Sequence, residues 1–388
     1  MKLYERNQKI LEKILNTNEE TVALRESIKR KLGFDFVTDK EKFPVLDEGY
    51  SWKKTLQNLR EADAESAFPQ VLRAGVQNIC NNMYMSTKTT FERFVTIINS
   101  DKITELFAPL VGVGFPREIG MNELYPEVGA QGLDVSLTAK LFGSIFPVSK
   151  WLVMDDQTGQ FQRMSGNLGV YLKLVQEAYA YGKLLSLPNM QYADLKIPQS
   201  QTKPSYESVW PWSVALKGGG KNRPASYAKL LQGNLQEAFT GLANMVNELG
   251  LKMLVDPDLL VVGYPYRFDA GVLLNSSWYP SGAASAGDVG GAFAANQLKG
   301  ICDLEITRFM PSYTTGAFDG ASKAWLLMDS KQPWLPMTMR SGPAVEQEQP
   351  NSGDSFNRDL IRFKGNIRFE CDWVSARFAW LGNDGSAT

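Results

Sequence analysis

The chain contains no histidine in 388 residues. That absence removes the Ser-His-Asp and Cys-His nucleophilic arrangements, histidine general acid–base work and histidine-bearing zinc sites together. Carboxylate, lysine, tyrosine or cysteine chemistry remains, and a chain with no proton shuttle points to a non-catalytic role. Cysteine is scarce: Cys80, Cys302 and Cys371 lie far apart, form no CxxC motif or paired framework, and read as reduced core thiols. No apolar run reaches the roughly 18 residues of a membrane-spanning helix. The opening segment MKLYERNQKILEKIL is charged and amphipathic, without the pattern of a signal peptide, so a soluble protein made in a cytoplasm is expected. Charge of one sign is also lacking: 41 basic residues against 42 acidic ones leave a net charge of −1. Contact with nucleic acid or an anionic surface would therefore have to be local.

What is present suffices for folded cores, with 44% hydrophobic and 11% aromatic residues. The length suggests two or three domains or sub-domains. The most informative stretch is 323–382, where KAWLLMDSKQPWLPMTMR is followed, after a polar break, by IRFKGNIRFECDWVSARFAWLG. Ile367, Phe369, Cys371 and Trp373 alternate there with Arg368, Glu370 and Asp372, the period of a strand with one buried face. A strand so late in the chain has to pair with something laid down much earlier, so these residues are expected to close a discontinuous domain.

Residues 1–65 mix charges of both signs with apolar residues, including Leu3, Ile10, Leu11, Ile14, Leu15, Val22, Leu24 and Ile28, at helical spacing. Residues 65–110 read as short helices broken at Pro69 and near Asn81. Between 112 and 150 glycine and proline punctuate β-prone pieces with no long apolar face, as in an extended hairpin that leans on a neighbour. WLVMDDQTG (151–159) reads as a strand and turn. Leu168, Leu172, Val175 and Tyr179 then predict a long amphipathic helix over 163–185, ending at Pro188. A strand-like piece spans Val209 to Leu216. A second helix is expected over 226–249, capped by Ser226 and Gly250. LLVVGYP reads as a buried strand and YRFDAGVLLNS as a short helix; 281–291 is a small-residue loop, and LKGICDLEITRFM and GASKAWLLMD are extended. Mixed elements without regular βαβ alternation make the fold class α+β.

Motifs that could carry chemistry are weak. GGGKNRP (218–224) has Ala215 and Asn222 where a phosphate loop needs glycine and Ser or Thr, and reads as a flexible surface turn. Gly112 to Gly114 lacks the rest of a dinucleotide fingerprint. The pairs Asp155 with Asp156 and Asp256 with Asp258 could serve a glycosidase or a hard metal, but both sit in turn contexts. The sequon at Asn275 carries no weight without a secretory signal. Trp210, Trp212, Trp325, Trp334, Trp373 and Trp380 could form a sugar platform, yet in strands alternating with charge they read as core and inter-subunit contacts. No catalytic, cofactor-binding or metal-ligating residue is assigned.

Taken in order, KLFGSIFPVSKWLVMDD before the long helix, LGLKMLVDPDLLVVGYPYRFDAGVLLNS, and the two terminal runs resemble the major capsid protein of tailed bacteriophages, over roughly residues 65–382. The resemblance implies an HK97-type fold and is closest in look to the Mu-type major head subunit. It implies an N-terminal helical arm region (1–111), an E-loop hairpin (112–150), a peripheral domain with a spine helix (151–225 and 323–388) and an axial domain (226–322). It implies a subunit of an icosahedral shell around double-stranded DNA, a virion component assembled in the host cytoplasm. Its partners would be copies of itself in hexamers and pentamers, portal and scaffolding or decoration proteins, and packaged DNA held weakly and without sequence preference. No cofactor and no membrane partner are implied. The terminal tryptophans, especially Trp325, Trp334 and Trp373, would serve packing and lattice contacts, and the small residues of 281–291 would let one loop differ between pentamers and hexamers. No large cleaved propeptide is expected. Some relatives crosslink a hairpin lysine to an asparagine, for which Lys140 and Asn357 are conceivable partners. A nanocompartment shell shares the implied fold and differs in its contents, and a carboxylate-dependent carbohydrate-active enzyme is the main alternative outside shell proteins.

Overall fold

A computed structural model describes residues 64–107, 110–111, 118–119, 131–132, 135–149, 151, 159–187, 190–200, 211–213, 215–216, 219–226, 228–247, 250–278, 295–313, 315–348 and 359–383. The expected helices of 1–63, the turn at Asp155 and Asp156, Trp210, the loop 281–291 and Asn357 lie outside them. The elements in chain order are α1 (Ala64–Ser86), β1 (Thr96–Asn99), β2 (Thr104–Phe107), β3 (Leu110–Val111), β4 (Gln131–Gly132), β5 (Val135–Thr138), β6 (Lys140–Ser149) and α2 (Gln160–Leu185). They continue as β7 (Met190–Tyr192), β8 (Leu195–Ile197), α3 (Gln232–Ala243), β9 (Leu259–Gly263), α4 (Arg267–Asn275), β10 (Asp303–Thr307), β11 (Ala324–Met328), β12 (Pro336–Gln347), β13 (Leu360–Cys371) and β14 (Ala379–Asn383). The order is that of an α+β chain.

The chain divides into two compact units, one of residues 1–79, 145–165 and 345–364, the other of 80–144, 166–344 and 365–388. In the smaller, Phe363 stacks on Phe146 at 5.3 Å and meets Phe161 at 5.8 Å. Arg73 Nε donates to the Val345 carbonyl at 3.3 Å, and Lys364 pairs with Glu346 at 2.6 Å.

The larger unit holds a sheet of order β10-β9-β11-β14, with β10 and β9 parallel and β11 antiparallel to both β9 and β14. Every residue of β9, β11 and β14 is buried, as short continuous apolar runs covered on both faces require. One face packs Leu260, Val262, Trp325, Leu327 and Trp380 against Leu235, Ala238 and Leu242 of α3 and Ala270, Leu273 and Leu274 of α4. Gly382 and Gly241 stand where a methyl group would overlap the rings of Trp325 and Trp380, so the indoles are seated by missing side chains.

A second sheet has the order β1-β12-β13-β6, with Thr96–Asn99 parallel to residues 336–339. Its closing strand comes from the C-terminal run, as the period-2 pattern predicts. Ile367, Phe369 and Cys371 are buried and Arg368 is exposed, but Glu370 and Asp372 are buried too.

Four local expectations are corrected. Residues 64–86 form one helix that runs unbroken through both Pro69 and Asn81; at Asn81 the stripe Leu72, Val76, Cys80 and Tyr84 stays buried and outweighs asparagine's weak helix preference. The long helix is amphipathic only in its first half: residues 176–185 are buried all round. The helix expected over 226–249 is only Gln232–Ala243. Before it, the Ala228 N–H is taken by the Asn383 carbonyl at 2.6 Å; after it, Val246 bridges Lys252 and Gly250 turns at φ +79, so neither Ser226 nor Gly250 caps a helix. Residues 211–213 and 215–216 form no strand. On either side of the expected hairpin, most of which lies outside the described residues, β2 pairs with β5 and β3 with β4, both antiparallel.

Close approach of α1 and α2 supplies a prediction. A Cβ on Gly169 would overlap the Cys80 carbonyl oxygen, whereas one on Gly271 in α4 meets nothing. Gly169→Ala is expected to destabilise unassembled subunits by about 1–3 kcal/mol. Gly271→Ala is expected to stabilise by about 0.5–1 kcal/mol, both read from urea denaturation midpoints.

Candidate functional site

The carboxylate pairs come first. Asp258 accepts from the Ser330 N–H at 2.8 Å and its hydroxyl at 2.9 Å, and lies 3.6 Å from Lys331, which makes it a turn organiser. Asp256 faces outward and shares Lys331 with it, at 3.7 Å. Among the described residues no group of three or more Cys, Asp or Glu side chains is placed to hold a metal ion. A cleft of about 300 Å³ is lined by Arg223, Ser226, Tyr313 and Asn383, with no carboxylate. Another, of about 450 Å³, is lined by Tyr84, Met85, Ile97, Asp101, Gln176 and Arg340, with a single one. Neither has the two facing carboxylates of glycoside hydrolysis.

GGGKNRP is not simply a surface turn. Gly219 and Gly220 adopt φ +111 and +88, and the turn drives Asn222 fully inside. There its Oδ1 accepts from the Ser213 N–H at 2.7 Å, and its Nδ2 donates to the carbonyls of Pro211 and Ala376 at 2.8 Å each. Lys221 pairs with Glu237 at 2.5 Å and lies over the Trp380 ring, so the segment is a structural clamp.

The strongest electrostatic feature was not visible as a motif. Lys183, fully buried in the last turn of α2, lies 2.9 Å from Asp372 and 3.6 Å from Glu370. Glu370 also accepts from the Tyr179 hydroxyl at 2.6 Å, and Lys140 at the start of β6 reaches it at 2.7 Å. Tyr179 and Lys183 share a helix face four residues apart, which aims both at one strand. Burial first, and then the Glu370 charge, hold the Tyr179 hydroxyl far above the usual phenol range, so it stays a donor. Lys140 is thus engaged within its own chain, and the described residues do not bring it to an asparagine acceptor.

Around this cluster the indoles of Trp212, Trp334 and Trp373 meet, with ring centroids 5.1 and 4.9 Å apart. Trp212 and Trp373 donate their N–H groups to the carbonyls of Leu185 and Lys183, Trp334 donates to Asp329, and Trp325 to Ala228. Trp325, Trp334 and Trp373 have 1% exposure or less, so their expected share in lattice contacts is corrected: they are core. Among the described residues the outward tryptophans are Trp151 and Trp278, which the sequence pattern did not single out. Large apolar side chains also face outward at Met85, Leu106, Leu141, Tyr171, Leu254 and Phe268.

The cysteines are free. Burial pushes the Cys80 thiol up to about 11 and Cys302 up to about 12, and raises Cys371 well above its ordinary range, so none is a thiolate nucleophile at neutral pH.

Lys183→Met leaves the buried Asp372 carboxylate without its cation and Glu370 with Lys140 alone, and is expected to cost about 3–5 kcal/mol. Lys102→Met, at an exposed pair with Glu105, is expected to cost under about 1 kcal/mol; denaturation of unassembled subunits separates the two. Burial raises the Glu177 carboxyl, against the lowering effect of its hydrogen bonds from Thr90. Above the ordinary glutamate value and up to the raised one, the folded chain holds a proton that the unfolded chain has lost, so stability falls as pH rises through that window. Glu177→Gln keeps an acceptor for Thr90 and is expected to lose less stability between about pH 4 and pH 7 than the parent chain.

A model of the phage capsid protein family matches residues 134–381. No curated protein matches. Among solved structures the chain is similar to that of Mycobacterium phage Cain, at 13% identity and TM-score 0.45, covering 78% of this chain and 92% of that one. It is similar to the capsid of a native GTA particle, at 12% identity and TM-score 0.49, covering 78% and 92%. A virus-like particle from Pyrococcus furiosus aligns at 10% identity and TM-score 0.42, covering 79% and 97%. These TM-scores are all below 0.5, and the assignment rests on the family match, which spans well over half of the sequence. Because that match runs from residue 134 to residue 381, the chain belongs to the phage capsid protein family and is a structural component of the virion shell.

Proposed function

We propose that the chain is the major subunit of the icosahedral head of a tailed phage, with an HK97-type arrangement of the Mu-type subgroup. The observation that carries this reading is the family match over 134–381, which includes the long helix α2 and the closing strand β13 and ends within β14. The proposed parts are an N-terminal arm region (1–111), an E-loop (112–150), a peripheral domain (151–225 and 323–388) whose spine helix is α2, and an axial domain (226–322) containing α3 and α4. Antiparallel pairing of β2 with β5 and β3 with β4 supports the E-loop, because it brings together the two chain segments that lead into and out of that region.

Copies of the chain would be the chief partners, in hexamers and pentamers, with portal and scaffolding or decoration proteins beside them. Packaged DNA would be touched weakly through local basic residues, since the net charge is −1. Outward apolar side chains such as Met85, Leu106 and Leu141 support self-association, the simplest way to bury them. Lys140, already paired with Glu370, supports a shell held by non-covalent contacts.

Expression of the full chain tests the reading. Closed shells are expected by electron microscopy, and after denaturation only monomer-sized protein of 43.2 kDa. A compact monomer that persists at high concentration would overturn it.

A further inference from the structure

We propose that a head-to-tail contact between two copies of this chain seats the loop before β9 of one copy on the surface at the start of α4 of the next. The inference rests on the reading of the chain as a self-assembling shell subunit, and adds which surfaces meet.

The loop side is built around Leu254. This side chain is 96% exposed, while Val255 beside it is buried and Met253 packs on the core. The backbone is pinned by the Met253 N–H on the Met245 carbonyl at 2.9 Å and the Asp256 N–H on the Asp329 carboxylate at 3.2 Å. Leu254 is therefore a fixed apolar knob. Asp256, two residues on, has a carboxylate 88% exposed that pairs with the exposed Lys331 at 3.7 Å.

The α4 side has the complementary character. Phe268 is 77% exposed, and Tyr264, four residues earlier, is also open. The Arg267 guanidinium lies 5.6 Å from the Tyr264 ring and 5.9 Å from the Phe268 ring, and its Nη1 donates to the Tyr264 hydroxyl at 3.0 Å. Arg308 lies 5.7 Å from the Tyr264 ring on another side. Among the described residues no carboxylate pairs with either arginine. Two guanidiniums held by aromatic rings thus frame an apolar floor, which fits a leucine with a carboxylate beside it.

Topology keeps the two surfaces apart in one chain. They flank the five residues of β9, about 17 Å of strand, at its opposite ends. Unlike surfaces at opposite ends meet only between copies, and such heterologous contacts close into rings when the rotation allows. A self-assembling family makes a second copy the occupant, and the carboxylate and guanidinium charges give the contact its direction.

The test is a charge exchange in the full-length chain. Arg267→Glu with Arg308→Glu, and separately Asp256→Lys, are each expected to lower the yield of sedimenting particles about tenfold or more, equivalent to about 1.4 kcal/mol. All three changes together are expected to recover most of the yield. Leu254→Ser removes the knob at a site with no packing to lose and is expected to match the single losses, and melting of unassembled subunits checks that each variant folds. Parental yields from the charge variants or from Leu254→Ser would overturn the contact, as would no recovery in the combined variant from folded parents. Normal shells that retain less DNA in the arginine variants would assign the α4 surface to nucleic acid instead. A parent chain that forms no particles would reject the shell reading itself, a separate outcome.

Discussion

Most of the larger unit depends on one buried charge arrangement, Lys183 against Asp372 and Glu370. A lone ammonium or carboxylate in that interior would cost several kcal/mol, so the last turn of α2, the start of β6 through Lys140 and the end of β13 have to be in place together. These residues are some two hundred positions apart in sequence, yet the pairing leaves them little freedom to slide. Trp373 reinforces the point, since its indole N–H is satisfied by the carbonyl of Lys183 itself at 2.6 Å. Polar and apolar contacts therefore specify the same register, a consistency that favours one packed state over near alternatives.

The indoles explain how a chain of short elements reaches this rigidity. Trp325 and Trp380 fill the space between the β9 sheet and α3, and each sits where a glycine, Gly382 or Gly241, has no side chain. Trp212, Trp334 and Trp373 fill the region beside α2. Large buried area is gained without unsatisfied donors, because Trp212, Trp325, Trp334 and Trp373 all give their N–H to a main-chain carbonyl.

The sequence showed much of this and concealed a definite part. Short apolar runs revealed β9 and β11, and the spacing of Leu168, Leu172 and Tyr179 revealed α2, because burial there follows local periodicity. Glu370 and Asp372 misled for the same reason: alternation with apolar residues marks the face of a strand, and says nothing about a lysine from a distant helix that allows the second face to be buried. Helical spacing also overextended α3, since main-chain bonds from Ala228 to Asn383 and between Met245 and Met253 draw both flanks into other pairings. Asn222 appeared only as a departure from a phosphate loop, although it holds three distant backbone groups inside the protein. Tertiary partners of single polar residues leave no periodic trace.

The missing histidines acquire a physical meaning once the shell role is established. Histidine is the side chain whose ordinary pKa falls within the neutral range, and the chain has none. Burial moves all three thiols upward, out of reach of neutral pH. The charges on the outer surface are then aspartate, glutamate, lysine and arginine, whose state hardly changes between mildly acidic and mildly basic conditions. Contacts between copies are individually weak and repeated many times over a shell, so a small pH-dependent change at each would be multiplied across the particle. A chain without histidine leaves such contacts to side chains whose ordinary pKa values lie away from neutral pH.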